Sequence, residues 1–208
     1  MSDLVFYTNP QSRGRIVHWM LEELGEPYET VWLDYGTGTK SEAYLAINPM
    51  GKIPALKHFG GVITEVAAIC TYLAARFPKK KLIPAVDDPN LASFYRWLYF
   101  AAGPIEQSAT AKSLGWVVSE ERKKSVGFGS HEEVLDAMEI ALTPGPYVCG
   151  DQFTAADVYF GSHVIWGMDF GNVEKRPLFE EYAERLIARP ASQCANQINE
   201  AKLNQVKS

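Results

Sequence analysis

Four short segments of this chain have residue types and spacings that could do chemistry. The first is Asn9-Pro10-Gln11-Ser12, a turn between an apolar run and a helix start. Amides at a helix start are unpaired and carry partial positive charge. A thiolate or carboxylate sits well there. The Ser12 hydroxyl either points at such an anion or simply caps the helix. The second is Asn48-Pro49-Met50-Gly51-Lys52-Ile53-Pro54-Ala55-Leu56. A proline inside an apolar strand run cannot donate to a ladder. It fits a sheet edge, a cis bond, or an ordinary turn before a strand. With a cis bond, Ile53 would offer its amide and carbonyl to an extended peptide, as in edge-strand addition. The third is Thr64-Glu65-Val66-Ala67-Ala68-Ile69. Either Glu65 only steadies the helix dipole, or Glu65 and the amides near Val66 hold the ammonium and carboxylate of a zwitterion. The fourth is Phe153-Thr154-Ala155-Ala156-Asp157-Val158. Thr154 at the N-cap, Asp157 at N3 and a Phe153–Val158 staple make it structural.

The elements that must hold these segments alternate over residues 1–80. Leu4 to Tyr7, Tyr28 to Leu33, Ile53 to Lys57 and Val62-Ile63 read as strands. Helices are expected from Arg15 to Leu24 (stopped by Gly25), from Ser41 to Ile47, and from Glu65 to Phe77 (stopped by Pro78). The order is βαβαββα, an α/β layer. Residues 81–88 form a proline-bearing linker, and Asp88-Pro89 has the chemistry of a helix start. Residues 89–208 then read as all-helical, with apolar residues at helical spacing in Leu91–Ala102, His131–Leu142, Ala155–Met168 and Leu178–Ile187.

Composition excludes several classes. The 208 residues are 47% hydrophobic and 22% charged, ordinary values for a folded globular chain. A net charge of −5 makes a poor nucleic-acid binder, since phosphate contact needs a basic face. Cys70, Cys149 and Cys194 are far apart, with no CxxC and no Cys/His cluster, so no metal site is expected. His18, His58, His131 and His163 show no ligand spacing. Sparse cysteines suit a reducing compartment. Met1 to Tyr7 has no signal-peptide pattern, and no apolar run approaches a membrane span. The expectation is a cytoplasmic protein.

The order and spacing of these segments resemble a cytosolic glutathione S-transferase, a bacterial member. The resemblance rests on Ser12-Arg13-Gly14-Arg15 and Trp19 to Gly25, on NPxGKIPAL at Asn48 to Leu56, and on Thr64 to Ile69 with Tyr72-Leu73-Ala74. It continues through FTxAD at Phe153 to Asp157 and Tyr182-x-x-Arg185-x-x-x-Arg189-Pro190-Ala191. It implies a thioredoxin-like N-terminal domain followed by an α-helical bundle domain. It further implies a homodimer, a role in detoxification, and glutathione as co-substrate.

Carried over by position, the resemblance implies that Ile53, before the cis-proline Pro54, pairs the backbone of the glutathione cysteine. Lys52 reaches the glycyl carboxylate, and Glu65 contacts the γ-glutamyl end. Many members have serine after that glutamate, whereas this chain has Val66. Its amide still donates, but the lost hydroxyl contact is worth roughly 1.5–3 kcal/mol, about tenfold or more in affinity. Ser12 is the first choice for activating the thiol and Tyr7 the second, with Asn9 or Arg13 as further donors. Lowering a thiol pKa by about two units needs roughly 2.7 kcal/mol, within reach of one charge-assisted hydrogen bond and a helix end. The thiolate then attacks an apolar electrophile held by the second domain. Tyr95, Tyr99, Phe100 and Trp116 either line that pocket or pack as core aromatics. The competing readings are a glutathione-dependent disulfide reductase or peroxidase, and a glutathione-binding homologue without turnover.

Overall fold

Alternating buried and half-buried side chains make Leu4-Val5-Phe6-Tyr7-Thr8 a strand, β1 (Leu4–Thr8). In the computed structural model, which describes residues 3–207, β1 is central to a four-stranded sheet. It pairs in parallel with β2 (Glu29–Trp32) and antiparallel with β3 (Ala55–His58), which pairs antiparallel with β4 (Gly61–Thr64). Helix α1 (Gly14–Leu24) connects β1 to β2. Its apolar stripe buries Ile16, Val17, Met20, Leu21 and Leu24. Helix α2 (Glu42–Leu45) is one turn, capped by Ser41, whose Oγ accepts the Tyr44 N–H at 3.3 Å. Helix α3 (Val66–Arg76) follows β4 and packs on α1. This is the expected thioredoxin-like layer. Strand β3 starts at Ala55 rather than Ile53, because Pro54 has no N–H to give the ladder.

Chain contacts divide the molecule into two units, one reaching from the N-terminus to Lys80 and resuming at Ala188, the other Lys81–Ile187. In the first, α9 (Pro190–Lys207) packs on α1, although the sequence places these residues with the helical domain. Its inward stripe is Ser192, Ala195 and Asn199, all buried. The carboxylate of Glu23 on α1 receives Arg189 Nε and Nη2, both at 2.7 Å, and Trp19 Nε1 at 2.8 Å. A second tie is Arg15 Nη2 to Glu200 Oε1 at 2.6 Å.

The second unit is all-helical. Asp88 Oδ1 accepts the Asn90 N–H at 2.8 Å, but regular helix begins only at Leu91. The run expected to continue to Ala102 is α4 (Leu91–Phe100), then a widened π-helical turn at Ala101–Ile105 containing Pro104, then α5 (Glu106–Ser113). Proline removes one ladder donor and clashes with the preceding turn, and the π turn absorbs both effects. A 3₁₀ turn at Glu120–Ser125 leads to α6 (His131–Leu142), α7 (Ala155–Asp169) and α8 (Pro177–Ile187). Helix α7 is buried over most of its length. At Gly161 a Cβ would stand 2.1 Å from Leu186 Cδ1, so the absence of a side chain lets α8 approach.

The capping box opens α7 as the sequence suggests. Asp157 Oδ2 accepts the Thr154 N–H at 2.8 Å and the Thr154 hydroxyl at 3.1 Å. Its Oδ1 accepts the Val148 N–H and the Tyr182 hydroxyl, both at 2.9 Å. One carboxylate thus joins α7, α8 and the 147–150 loop. The 81–88 segment is anchored at its start, where Leu82 O accepts the Ala155 N–H at 2.8 Å.

Candidate functional site

Sheet register brings three of the four segments to one edge. Tyr7 stands opposite Ala55, and Ala55 opposite Thr64. The end of β1, the start of β3 and the end of β4 therefore share one level. The turn carrying Asn9 and Ser12, the Ile53-Pro54 pair, and Glu65-Val66 all leave the sheet there.

The turn after β1 is held by Asn9. Its Nδ2 donates to Leu33 O at 2.8 Å, and its Oδ1 accepts the Gln11 N–H at 2.9 Å. The Asn9 carbonyl accepts the Ser12 hydroxyl at 2.7 Å. Ser12 Oγ accepts the Gly14 N–H at 3.0 Å, so Ser12 satisfies the first amide of α1 from just ahead of its N-cap, Arg13. A hydroxyl rotates about its Cβ–Oγ bond and can redirect its proton, so capping and donation to an anion are compatible. Tyr7 is half-buried, its ring 5.7 Å from that of Tyr44. Burial first, and the Glu29 charge second, push its phenol up, so it is a donor at neutral pH.

The Ile53-Pro54 bond is cis. Ile53 lies ahead of β3, outside the ladder, and Lys52 beside it is exposed. The Lys52 carbonyl receives Tyr44 OH at 2.6 Å and Asn48 Nδ2 at 2.8 Å, which fixes the approach to this bond. Gly51 sits at φ 57, where a Cβ would meet Thr39 O at 2.6 Å, so glycine is required in this turn.

Glu65 precedes α3 at φ 66, a left-handed conformation that favours glycine. Its side chain is exposed and makes no capping bond to the described residues. The helix ladder begins with Ile69 N–H to Glu65 O at 2.9 Å, so the Val66, Ala67 and Ala68 amides have no helical partner. Val66 itself is buried. Non-glycine residues persist in such conformations where the surroundings enforce them, often at ligand sites.

One further group belongs beside this edge. Arg15, in the first turn of α1, places Nη1 3.4 Å from Pro10 O, under the turn that carries Ser12. Its Nε is buried with no hydrogen-bond partner among the described residues. The only sequence signal was a second arginine two residues beyond Arg13. The chain's own thiols are poor nucleophiles. Burial pushes Cys70 and Cys149 up to about 12, and a hydrogen bond to Glu22 raises Cys194. Among the described residues no group of three or more His, Cys, Asp or Glu could hold a metal ion, and no helix is long and apolar enough to cross a membrane.

The proposed pocket aromatics lie in the helical unit. Tyr95 and Tyr99 stack on the exposed side of α4 with centroids 6.3 Å apart, and Phe100 meets Trp97 edge-on at 5.5 Å. Trp116 lines a cavity of about 550 Å³ between α5 and the 116–128 segment, and the other three do not. Of the histidines, His18 and His58 are buried, and His131 Nε2 donates to Asn172 O at 2.6 Å.

Residues 12–76 match the family model of the glutathione S-transferase N-terminal domain. Glutathione S-transferase 3 of Zea mays is 30% identical, with 93% of each chain covered. The crystal structure of a glutathione transferase from Methylococcus capsulatus is similar at a TM-score of 0.79 and 29% identity, covering 95% of this chain and 99% of that one. A glutathione transferase homologue from Sulfitobacter, solved with bound glutathione, is similar at a TM-score of 0.76 and 28% identity, covering 95% and 98%.

Proposed function

The chain belongs to the glutathione S-transferase family, and on that premise we propose that it binds glutathione along this sheet edge and activates the thiol for attack on an apolar electrophile. The observation that supports the reading is the common level of Tyr7, Ala55 and Thr64, which brings the three candidate segments to one end of the sheet. The Sulfitobacter relative with bound glutathione supports the ligand.

In this reading Ile53 pairs the cysteinyl backbone of glutathione, next to Pro54. Lys52 meets the glycyl carboxylate. Glu65 takes the γ-glutamyl ammonium, and the Val66 amide takes its carboxylate, helped by the positive end of α3. The sulfur lies toward the turn after β1. Ser12 donates to it, with Tyr7 and Asn9 as the alternative donors. Arg15 supplies fixed positive charge nearby. A free thiol is only a few per cent thiolate at pH 7, so these groups act by favouring the charged form. The thiolate forms a carbon–sulfur bond at the electrophile, and the leaving group departs with its electron pair, or a conjugated acceptor takes up a proton. The helical unit supplies the apolar surface for the electrophile, with Tyr95, Tyr99, Phe100 and Trp116 as its candidate residues. The glutathione domain is residues 1–80 with α9 packed on it. The protein acts in detoxification as a cytoplasmic homodimer and uses no metal.

Calorimetric titration with glutathione, followed by turnover with an aryl halide, a hydroperoxide and a mixed disulfide, tests this. Binding with conjugation of the aryl halide is expected. Turnover of only the hydroperoxide or disulfide would move the protein to another reaction class, and binding without turnover would make it a glutathione-binding protein.

A further inference from the structure

The cavity in the helical unit has an acidic corner. Among the described residues that line it, Glu106 alone is charged, while Ala111, Trp116, Val118, Val126 and Phe128 provide apolar wall. The Glu106 side chain is 16% exposed. Its Oε1 accepts the Tyr159 hydroxyl at 3.4 Å and lies 3.6 Å from His163 Nε2. Tyr159 and His163 are one turn apart on the buried helix α7, so both flank this carboxylate, and His163 pairs with it when protonated. The basic residues of the neighbouring 3₁₀ turn do not line the cavity, and Lys123 pairs with Glu120 at 2.7 Å. A volume of about 550 Å³ lies within the range of small-molecule sites.

A largely apolar wall with one carboxylate discriminates by charge. A carboxylate brought beside the largely buried Glu106 would meet like charge. A cation there gains a charge-assisted hydrogen bond. We propose that this cavity takes an aryl or arylalkyl molecule bearing a protonated amine, with the amine at Glu106 and the ring against Trp116, and that Glu106 is the residue that excludes carboxylate-bearing analogues. As a statement about the acceptor of the transfer reaction this rests on the function proposed above, but as a statement about binding it does not.

The test uses the full chain at neutral pH without glutathione and three probes of like shape: naphthylmethylamine, naphthylmethanol and naphthoate. Equilibrium dialysis should show the amine binding at least about tenfold more tightly than the carboxylate. Glu106→Gln should bring the two within about threefold and leave the alcohol nearly unchanged, while Glu106→Asp, which keeps the charge, should retain the preference. Trp116→Ala should weaken all three probes. Equal or tighter binding of naphthoate, no binding of any probe, or an unchanged ratio in a folded Glu106→Gln variant would overturn the proposal. Glutathione titrations of the same samples separate the two readings. Intact glutathione binding without amine preference removes only this proposal, and amine preference without glutathione binding removes only the proposed function.

Discussion

Ser12 Oγ donates to the carbonyl oxygen of Asn9 at 2.7 Å. The hydroxyl proposed to meet the thiol thus has a resting partner within its own turn, and the Gly14 N–H already uses one of its lone pairs. In the proposed reading, activation consists of turning one proton from a carbonyl to a sulfur, with little movement of the chain. Ser12→Ala should raise the pKa of bound glutathione by about one to two units, equivalent to roughly 1.4–2.7 kcal/mol. Turnover should fall while KM for glutathione changes little, because the ends of the tripeptide are held elsewhere. Thiolate absorbance of the complex against pH is the readout, with Tyr7→Phe and Asn9→Ala alongside. A shift in either of those, with none in the Ser12 variant, would transfer the role.

In the proposed reading Arg15 acts on the sulfur through charge rather than contact. Arg15→Gln should raise the same pKa by about one unit, roughly 1.4 kcal/mol. The substitution also breaks the pair with Glu200, so Glu200→Gln serves as control. That pair is part-exposed and worth little by itself, about 0–1 kcal/mol. Equal shifts in the two variants would assign the effect to packing of α9.

Val66→Ser restores a hydroxyl beside the free amides of α3. Glutathione should bind about tenfold more tightly, as one good hydrogen bond to a charged group gives. Val66 is buried, so the same variant should lose about 1–2 kcal/mol of stability. Calorimetry and thermal melting together read the two opposite effects. Unchanged affinity would place the γ-glutamyl carboxylate elsewhere.

The cis Ile53-Pro54 bond and the Thr154–Asp157 capping box were legible because their signals are local. Pro54 inside an apolar run narrows to an edge, a cis bond or a turn, and Thr154 three residues before Asp157 fits a capping box, each from a few neighbours. What escaped depends on distant partners. Helix α9 was invisible to an apolar-period reading because its buried stripe is Ser192, Ala195 and Asn199, small and polar residues that bury only against α1. The regular part of α4 ends at Phe100, where spacing alone carried it to Ala102, since Pro104 acts on the turn before it. Tyr95 and Tyr99 stack with their rings part-exposed, while Glu106, which no motif marks in the sequence, lines the cavity.

Asp157 makes stability depend on pH. Burial, working against four hydrogen bonds, pushes its carboxyl up to about 6. An unfolded carboxyl titrates near about 4. Between these values the folded chain keeps a proton that the unfolded chain has lost. The contribution of this group is therefore complete below about 4 and is lost as pH rises through about 6. In Asp157→Asn that slope should vanish, and the protein should be less stable at every pH, because an amide turns a donor toward the Thr154 N–H. Melting temperatures from pH 4 to 7 for both proteins check this. Parallel curves would show that the carboxylate stays ionised throughout.

If this sheet edge binds glutathione and favours its thiolate, the bound thiol must ionise below its free value. The most direct measurement is the ultraviolet absorbance of the thiolate in the glutathione complex of the unaltered protein, titrated from acid to alkaline pH. A midpoint about two units below the value near 8.5 of a free thiol is the predicted result. A midpoint at the free value, or no thiolate signal at saturating glutathione, would contradict it.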